Sequence, residues 1–284
     1  MLNPRIRSIL VPTDFSDASV TAFVHALKLA TVFKAKLDVF HVEPKNDTSD
    51  WRWAPGVIDT LVKWGELPAG ATDADLAARG VEARRTMASG VAADEAIQAE
   101  IAASRADLVV MSTHGRTGLR RFLEPSVAAP IAAEGATLVL LLPPGAAGFV
   151  DVETGASIIE RILIPVDHRP HPAPGYDAAV LLALPFVGGN TEVGLLHVGS
   201  DAMPETDLLR APADWHVHTW IEPGEVVDRV AVHARAWRPD LVVVVTEGRH
   251  GWLDALRGST IERILDANID APILIVPADW TGEA

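Results

Sequence analysis

The sequence repeats itself, and an internal repeat constrains the fold of a chain more than any other pattern. Three landmarks return in the same order: the segment 7–14 (RSILVPTD) at 161–167 (RILIPVD), His41-Val42 at His197-Val198, and Asp107 at Asp240. Their displacements are 153, 156 and 133 residues, and Ser126 and Ser259 keep the last of these values. The chain is therefore interpreted as a tandem duplication.

The fall in displacement from 156 to 133 means that the second copy is 23 residues shorter between its second and third strands. The first copy carries apolar residues at helical spacing in this region, namely Val57, Leu61, Trp64 and Leu67. The second copy has Pro204 and Pro212 there, which disfavour a long helix. We therefore expect the second copy to lack most of one helix.

The length of 284 residues suits two domains, which we place at 1–150 and 151–284. An excess of 14 acidic side chains argues against a partner that is a nucleic acid. The absence of cysteine excludes disulfides, thiolate metal sites and cysteine nucleophiles. No apolar run is long enough to span a membrane, and the first residues do not resemble a signal peptide, so a cytoplasmic protein is expected.

Short apolar runs alternate with helical patterns in both copies, which predicts two Rossmann-like α/β domains with doubly wound parallel sheets. The predicted strands are 8–11, 36–41, 108–112, 137–142, 162–166, 192–197, 241–246 and 272–276. The predicted helices are 19–32, 94–104, 125–133, 225–236 and 260–267.

In such a sheet ligands bind beyond the carboxyl ends of the strands. One aspartate follows the first strand of each copy, Asp14 in the first and Asp167 in the second, and each could either accept a hydrogen bond from a ligand or order its own loop. The histidines His41 and His197 end the second strands, where a packed, hydrogen-bonded histidine is the commoner outcome.

A glycine-containing loop follows the fourth strand of each copy and leads into a helix that begins near Ser126 or Ser259. Free amides and the positive end of a helix dipole make such a loop suitable for an anion, although tight turns use the same residues. The sequence does not contain the phosphate loop that consists of a glycine, four residues and Gly-Lys followed by Ser or Thr, and no lysine follows Lys63.

Together these motifs resemble the universal stress protein family in its tandem two-domain form, over nearly the whole chain. The resemblance is carried by the opening 10–16 (LVPTDFS), the strand-end pair His41-Val42, the segment 107–118 (DLVVMSTHGRTG) and the helix entry Gly258-Ser259. It implies five-stranded parallel sheets, an internal pseudo-dimer through the last strands, possible pairing between chains, and binding of an adenine nucleotide, with ATP expected.

Members of the family that bind ATP carry a glycine, two residues, a second glycine, nine residues and a third glycine followed by Ser or Thr. The second copy matches this pattern at Gly248, Gly258 and Ser259 but has Val245 first, whereas the first copy has Ser112 and Pro125 at glycine positions. A side chain there hinders close approach of the backbone to a ligand, and proline also removes an N–H donor. The first loop of the second copy, 167–175, also departs from the family's form.

The resemblance implies the following nucleotide-binding residues: Pro165, Asp167, Val198, Gly248, Gly258, Ser259 and Thr260 in the second copy, and Pro12, Asp14, Val42, Gly115, Ser126 and Val127 in the first. The first copy has 15 basic and 17 acidic side chains and the second has 9 and 21. This charge argues against binding of a triphosphate in the second copy without a divalent cation such as Mg²⁺, and a solvated acidic surface is the preferred explanation of the charge itself.

Two further patterns have ordinary structural explanations. His168, His171, His216 and His218 suggest a metal, but no third ligand is assigned to the His216/His218 pair, which fits a surface strand better. Trp51, Trp53 and Trp64 form either an apolar groove or a helix packed on the sheet. No catalytic residue or metal ligand is assigned, because no nucleophile motif or water-activating group is identified.

The function expected from the sequence is stress-response signalling through binding of an adenine nucleotide in at least one domain. A nucleotide-free scaffold that binds a partner protein is the alternative, because several motif glycines are replaced. A metal or small-molecule sensor is a third hypothesis.

Overall fold

Ten strands form one continuous sheet in the structure, a computed structural model that describes residues 6–43, 56–113, 137–143, 145–146, 148–206, 212–247, 263–265, 267 and 269–282. The strands are β1 Ser8–Thr13, β2 Lys36–Glu43, β3 Glu82–Ser89, β4 Leu108–Ser112, β5 Leu138–Leu142, β6 Arg161–Val166, β7 Thr191–Val198, β8 Trp215–Glu222, β9 Leu241–Thr246 and β10 Ile273–Pro277. The strand order is β3-β2-β1-β4-β5-β10-β9-β6-β7-β8.

Each half of the sheet has the doubly wound order 3-2-1-4-5, and all pairs within a half are parallel. The two halves meet at β5 and β10, which pair antiparallel with Leu274 opposite Leu140. This confirms the predicted fold class of two Rossmann-like α/β units. The eight predicted strands are present within two residues of their expected ends, and β3 and β8 complete the sheet at its two edges.

Helices cover both faces of the sheet. They are α1 Asp17–Phe33, α2 Val57–Lys63, α3 Asp73–Ala78, α4 Ala93–Ser104, α5 Ala173–Ala183, which continues into a 3₁₀ turn at Leu184–Phe186, and α6 Val226–Trp237. One core packs α1, α2 and α5 on one face, and the other packs α4 and α6 on the opposite face. Each core contains strand residues from both halves, so neither core ends at the β5–β10 pairing.

The insertion in the first half forms the helix that its apolar spacing predicts. Val57, Leu61 and Leu67 are buried, and Trp64 packs against the same core while its indole N–H donates to the carbonyl of Val152. This confirms helix packing for Trp64, whereas Trp51 and Trp53 lie outside the described residues. Between β7 and β8, the described residues 199–206 and 212–214 contain no helix, in agreement with the shortened segment.

Among the described helices, none is both long enough and apolar enough to cross a membrane. The predicted helix 125–133 lies outside the described residues, as do residues 260–262 and 266 of the predicted helix 260–267, in which residues 263–265 are helical.

The repeated aspartates Asp107 and Asp240 hold the first strand of each half in place. Asp107 Oδ2 accepts hydrogen bonds from the backbone N–H groups of Arg7 and Ser8, at 2.6 and 2.9 Å. Asp240 Oδ2 accepts from Glu160 and Arg161, both at 2.9 Å. The repeat therefore preserves a carboxylate that fixes the start of a central strand.

We expect Asp107→Ala and Asp240→Ala each to lower the free energy of unfolding by about 1.5–3 kcal/mol, because each leaves two strand amides without a charged acceptor. Denaturant titration measures the change. The matched variants Asp107→Asn and Asp240→Asn keep an acceptor oxygen and should lose less. Unchanged midpoints for the alanine variants would contradict this role.

Candidate functional site

The carboxyl ends of β6, β7 and β9 enclose a cavity of about 270 Å³. Because β6 and β9 are neighbours at the point where the strand order reverses, the cavity lies where a doubly wound sheet places its ligands. Its lining residues are Pro165, Val166, Asp167, Arg169, Pro170, Pro172, Leu196, Val198, Val226, Val244, Val245, Thr246, Glu247 and Ile264.

Three residues that the sequence singled out come together in this cavity: Pro165, Asp167 and Val198. Pro165 lies on β6 opposite Leu196 of β7, Asp167 follows β6, and Val198 ends β7. The walls are mostly aliphatic, and Asp167, Glu247 and Arg169 supply the charged groups. An apolar cleft with a few charged groups at its rim suits a flat ring that carries polar substituents.

The two repeated aspartates of the strand ends do different things. Asp14 Oδ1 accepts from the backbone N–H of Ser16 at 3.0 Å and from its hydroxyl at 2.6 Å, and Ser16 caps α1. Asp167 is exposed, and its Oδ1 accepts from the N–H of His168 at 2.7 Å. Asp14 therefore orders its own loop, whereas Asp167 lines a cavity.

Val245 stands where the family pattern has its first glycine, and the structure accommodates its side chain. A Cβ atom added to Gly175 of α5 would lie 2.5 Å from Val245 Cγ2, so the absence of a side chain at 175 makes room for the valine. Gly175 on α5 therefore leaves the space that the side chain of Val245 on β9 fills.

The first-half candidates lie at the equivalent strand ends. Pro12 of β1 pairs with Phe40 of β2, and Val42 is buried near the end of β2. Beside them, His41 Nδ1 donates to the carbonyl of Thr13 at 2.8 Å, and the ring of Phe15 stacks on the imidazole with a centroid distance of 4.3 Å.

The remaining predicted residues lie outside the part of the chain that the structure describes. They are Gly115, Ser126 and Val127 in the first half and Gly248, Gly258, Ser259 and Thr260 in the second.

A cluster of His168, His197 and Asp201 lies at the carboxyl ends of β6 and β7. The Nε2 atoms of both histidines lie 3.0 Å from carboxylate oxygens of Asp201. The imidazole of His197 is only 2% exposed, and its Nδ1 lies 3.1 Å from the carbonyl oxygen of Val166. His168 and His197 were each named from the sequence, but Asp201 and the combination of the three residues were not.

The other histidines named from the sequence do not join this cluster. His171 accepts a hydrogen bond from the N–H of Ala173, and His216 and His218 lie exposed on β8, as expected for a surface strand. The signal that was missed is the spacing of four residues between His197 and Asp201, in the loop directly after β7.

Contacts within the cluster shift the pKa values of His197 and Asp201 in opposite directions. Burial by itself lowers the pKa of His197, but hydrogen bonds to Asp201 and to the Val166 carbonyl outweigh burial, so that the pKa lies above its ordinary value. The hydrogen bond from His197 in turn lowers the pKa of the Asp201 carboxyl.

Comparisons with known proteins agree with this architecture. A model of the Universal stress protein family matches residues 5–143. Universal stress protein MJ0531 of Methanocaldococcus jannaschii is 36% identical over 129 residues, which are 43% of this chain and 73% of that protein.

Two solved structures resemble the whole chain. A universal stress protein from Archaeoglobus fulgidus superposes with a TM-score of 0.61 at 15% identity, covering 97% of this chain and 98% of its own. The functionally unknown protein PA1789 from Pseudomonas aeruginosa superposes with a TM-score of 0.56 at 18% identity, covering 96% and 92%. These two structures support the fold, and the similarity to the protein from Methanocaldococcus jannaschii identifies the family. The chain belongs to the universal stress protein family.

Proposed function

We propose that this universal stress protein binds an adenine nucleotide, with ATP as the expected ligand, in the cavity of its second half. In this proposal the occupancy of that site is the signal that a cytoplasmic stress-response module passes to its partners. The observation that carries the proposal is the convergence of Pro165, Asp167 and Val198 on one cavity at the switch point between β6 and β9.

The lining suits the base and the ribose. Leu196, Val226 and Ile264 offer aliphatic surface to a purine ring. The carboxylate of Asp167 can accept a hydrogen bond from a ribose hydroxyl or an exocyclic amine, and the backbone of Val198 can pair with the ring edge. Gly248, Gly258, Ser259 and Thr260 are proposed to hold the phosphates with a divalent cation, because the acidic second half would otherwise repel them.

The test is to denature the freshly purified protein and to identify the released nucleotide by mass spectrometry. We expect near-stoichiometric adenine nucleotide from the wild type. Asp167→Ala should weaken binding by roughly 10–100-fold, the loss expected for a hydrogen bond to a charged group. Asp14→Ala, the matched change in the first half, should retain the nucleotide.

Two outcomes would overturn the proposal. Loss of nucleotide in Asp14→Ala alone would move the site to the first half. If the wild type releases no nucleotide and shows no thermal shift with Mg-ATP, the nucleotide-free scaffold becomes the better hypothesis. That alternative has one specific observation in its favour, since Val245 replaces a motif glycine and packs at Gly175.

We further propose that residues 1–150 and 151–284 are two domains joined as an internal pseudo-dimer. The division of β1–β5 and β6–β10 between these segments supports the boundary, and the antiparallel β5–β10 pair supports the pseudo-dimer. Pairing of two whole chains is a separate expectation that size measurement in solution would test.

A further inference from the structure

We propose that His168, His197 and Asp201 form a binding site for a transition-metal ion of the Zn²⁺ class, beyond the carboxyl ends of β6 and β7. Two imidazoles and one carboxylate are a ligand set that proteins use for such ions, and three protein ligands leave a position for water or a further ligand. The inference does not depend on nucleotide binding.

The first argument is distance. The ligand atoms of the three side chains all lie within 4.8 Å of one another, and each Nε2 is 3.0 Å from an Asp201 oxygen. Ligands of a tetrahedral Zn²⁺ lie about 3.3 Å apart, since each is about 2.0 Å from the metal. The two histidine–carboxylate distances need to increase by only a few tenths of an ångström, and His168 and Asp201, 50% and 60% exposed, have room to adjust the distance between the two imidazoles.

The second argument is the orientation of His197. A carbonyl oxygen only accepts hydrogen bonds, so the contact with Val166 places a proton on Nδ1 and directs Nε2 at Asp201. Metal-bound histidines have this arrangement, in which the second nitrogen donates to a backbone carbonyl and fixes the ring. The buried ring of His197 is therefore held with its metal-binding nitrogen toward two exposed side chains.

The third argument is the space that Gly199 leaves. A Cβ atom at this position would lie 2.6 Å from both His197 Nε2 and Asp201 Oδ1. Any side chain at residue 199 would thus push the two ligands out of position. The equivalent residue of the first half is Glu43.

The first half supplies the contrast that makes the site specific to the second. The residue equivalent to His168 is Phe15, which stacks on His41 and has no metal-binding atom. His41 keeps the same Nδ1 contact with a strand carbonyl, that of Thr13. The buried histidine is thus common to both halves, and among the described residues the group of three ligands is found beside His197.

Titration of the metal-free full-length protein with Zn²⁺, followed by calorimetry, tests the proposal. We expect one high-affinity ion per chain for the wild type. His168→Phe, which installs the first-half residue, and Gly199→Ala should each weaken Zn²⁺ binding by at least about tenfold, while circular dichroism reports an unchanged fold. His216→Phe makes the same replacement at an exposed histidine of β8 and should bind Zn²⁺ like the wild type.

Either of two results would contradict the proposed metal site. If the wild type binds no stoichiometric Zn²⁺, the cluster is an ion pair only. If His168→Phe and Gly199→Ala bind as tightly as the wild type, or if His216→Phe is the variant that loses binding, the metal is held elsewhere. Asp201→Ala, a change at an exposed side chain, provides an independent check because it is not expected to disturb folding.

Discussion

Acidification from about pH 7 to about pH 4 is expected to remove about 3 kcal/mol from the free energy of unfolding through His25 alone. The imidazole is fully buried between α1 and the segment that leads to the second half. Its Nδ1 donates to the carbonyl of Thr21 at 2.7 Å, and its Nε2 accepts from the N–H groups of Phe149 and Val150 at 3.1 and 3.2 Å. Neutral histidine meets all three contacts.

The direction of the pH effect follows from the pKa. Burial lowers the pKa of His25 from 6.5 to about 4, against a smaller opposing effect of the Thr21 carbonyl. Between these two values the unfolded chain binds the proton and the folded chain does not. The contribution of His25 is therefore complete above about pH 6.5, declines as the pH falls through about 4, and levels off below that.

His25→Leu isolates this contribution. At pH 7 the variant should be less stable by about 2–4 kcal/mol, because two buried N–H groups lose their acceptor. That difference from the wild type should shrink as the pH is lowered, which denaturant titrations at several pH values would measure. The control is His218→Leu at an exposed position. A difference between wild type and His25→Leu that stays constant from pH 7 to 4 would contradict the assignment.

Leu140→Ala is expected to cost about 2–5 kcal/mol of unfolding free energy, since it opens a cavity beneath the junction of the two halves. Leu140 lies on β5 opposite Leu274 of β10, and both side chains are fully buried. They belong to the core that also packs α1 and α5, so the loss falls on a region common to the first and second halves. Chemical denaturation followed by tryptophan fluorescence measures it.

A double-mutant cycle shows whether the junction couples the halves. Leu140→Ala and Leu274→Ala should interact by about 0.5–3 kcal/mol, because each relaxes into the space the other leaves. Leu37→Ala is the matched control: Leu37 is fully buried on β2, three strand spacings or about 14 Å from β5, and its effect should add to that of Leu140→Ala. Simple additivity of Leu140 and Leu274 would mean that the strands do not pair in solution.

Central strands were predictable because they are buried on both faces and so appear as continuous apolar runs. β4, β5 and β9 are such runs, and the repeat fixed their order along the chain. The bounds of the edge strands were not predicted. β3 carries Arg84, Arg85 and Thr86, and Asp38 of β2 accepts hydrogen bonds from Arg84 and Thr86. Because these polar contacts help to hold β3 on β2, an apolar pattern in the sequence does not indicate this strand.

The helix α5 was also missed, because its first turn contains Pro174 and Gly175, which usually mark a loop. Proline is tolerated there since the first N–H groups of a helix have no partner within it. In the same way, the cavity could be anticipated from strand ends, but the role of Asp201 could not. Its contact with His168 and His197 depends on the path of the loop after β7, which local sequence does not determine.

The antiparallel join of β5 and β10 has a geometric consequence. The strands within each half are parallel, and the two halves run in opposite directions. The carboxyl ends of β1, β2 and β4 therefore lie at one end of the strands, and those of β6, β7 and β9 lie at the opposite end. A molecule that approaches one set of strand ends therefore comes from the side opposite to one that approaches the other. In an assembly of two identical subunits the two sets of strand ends would have the same sequence, and every substitution would be present at both. Here a single gene specifies two unlike ends in a fixed one-to-one ratio, with Phe15 at one and His168 at the other.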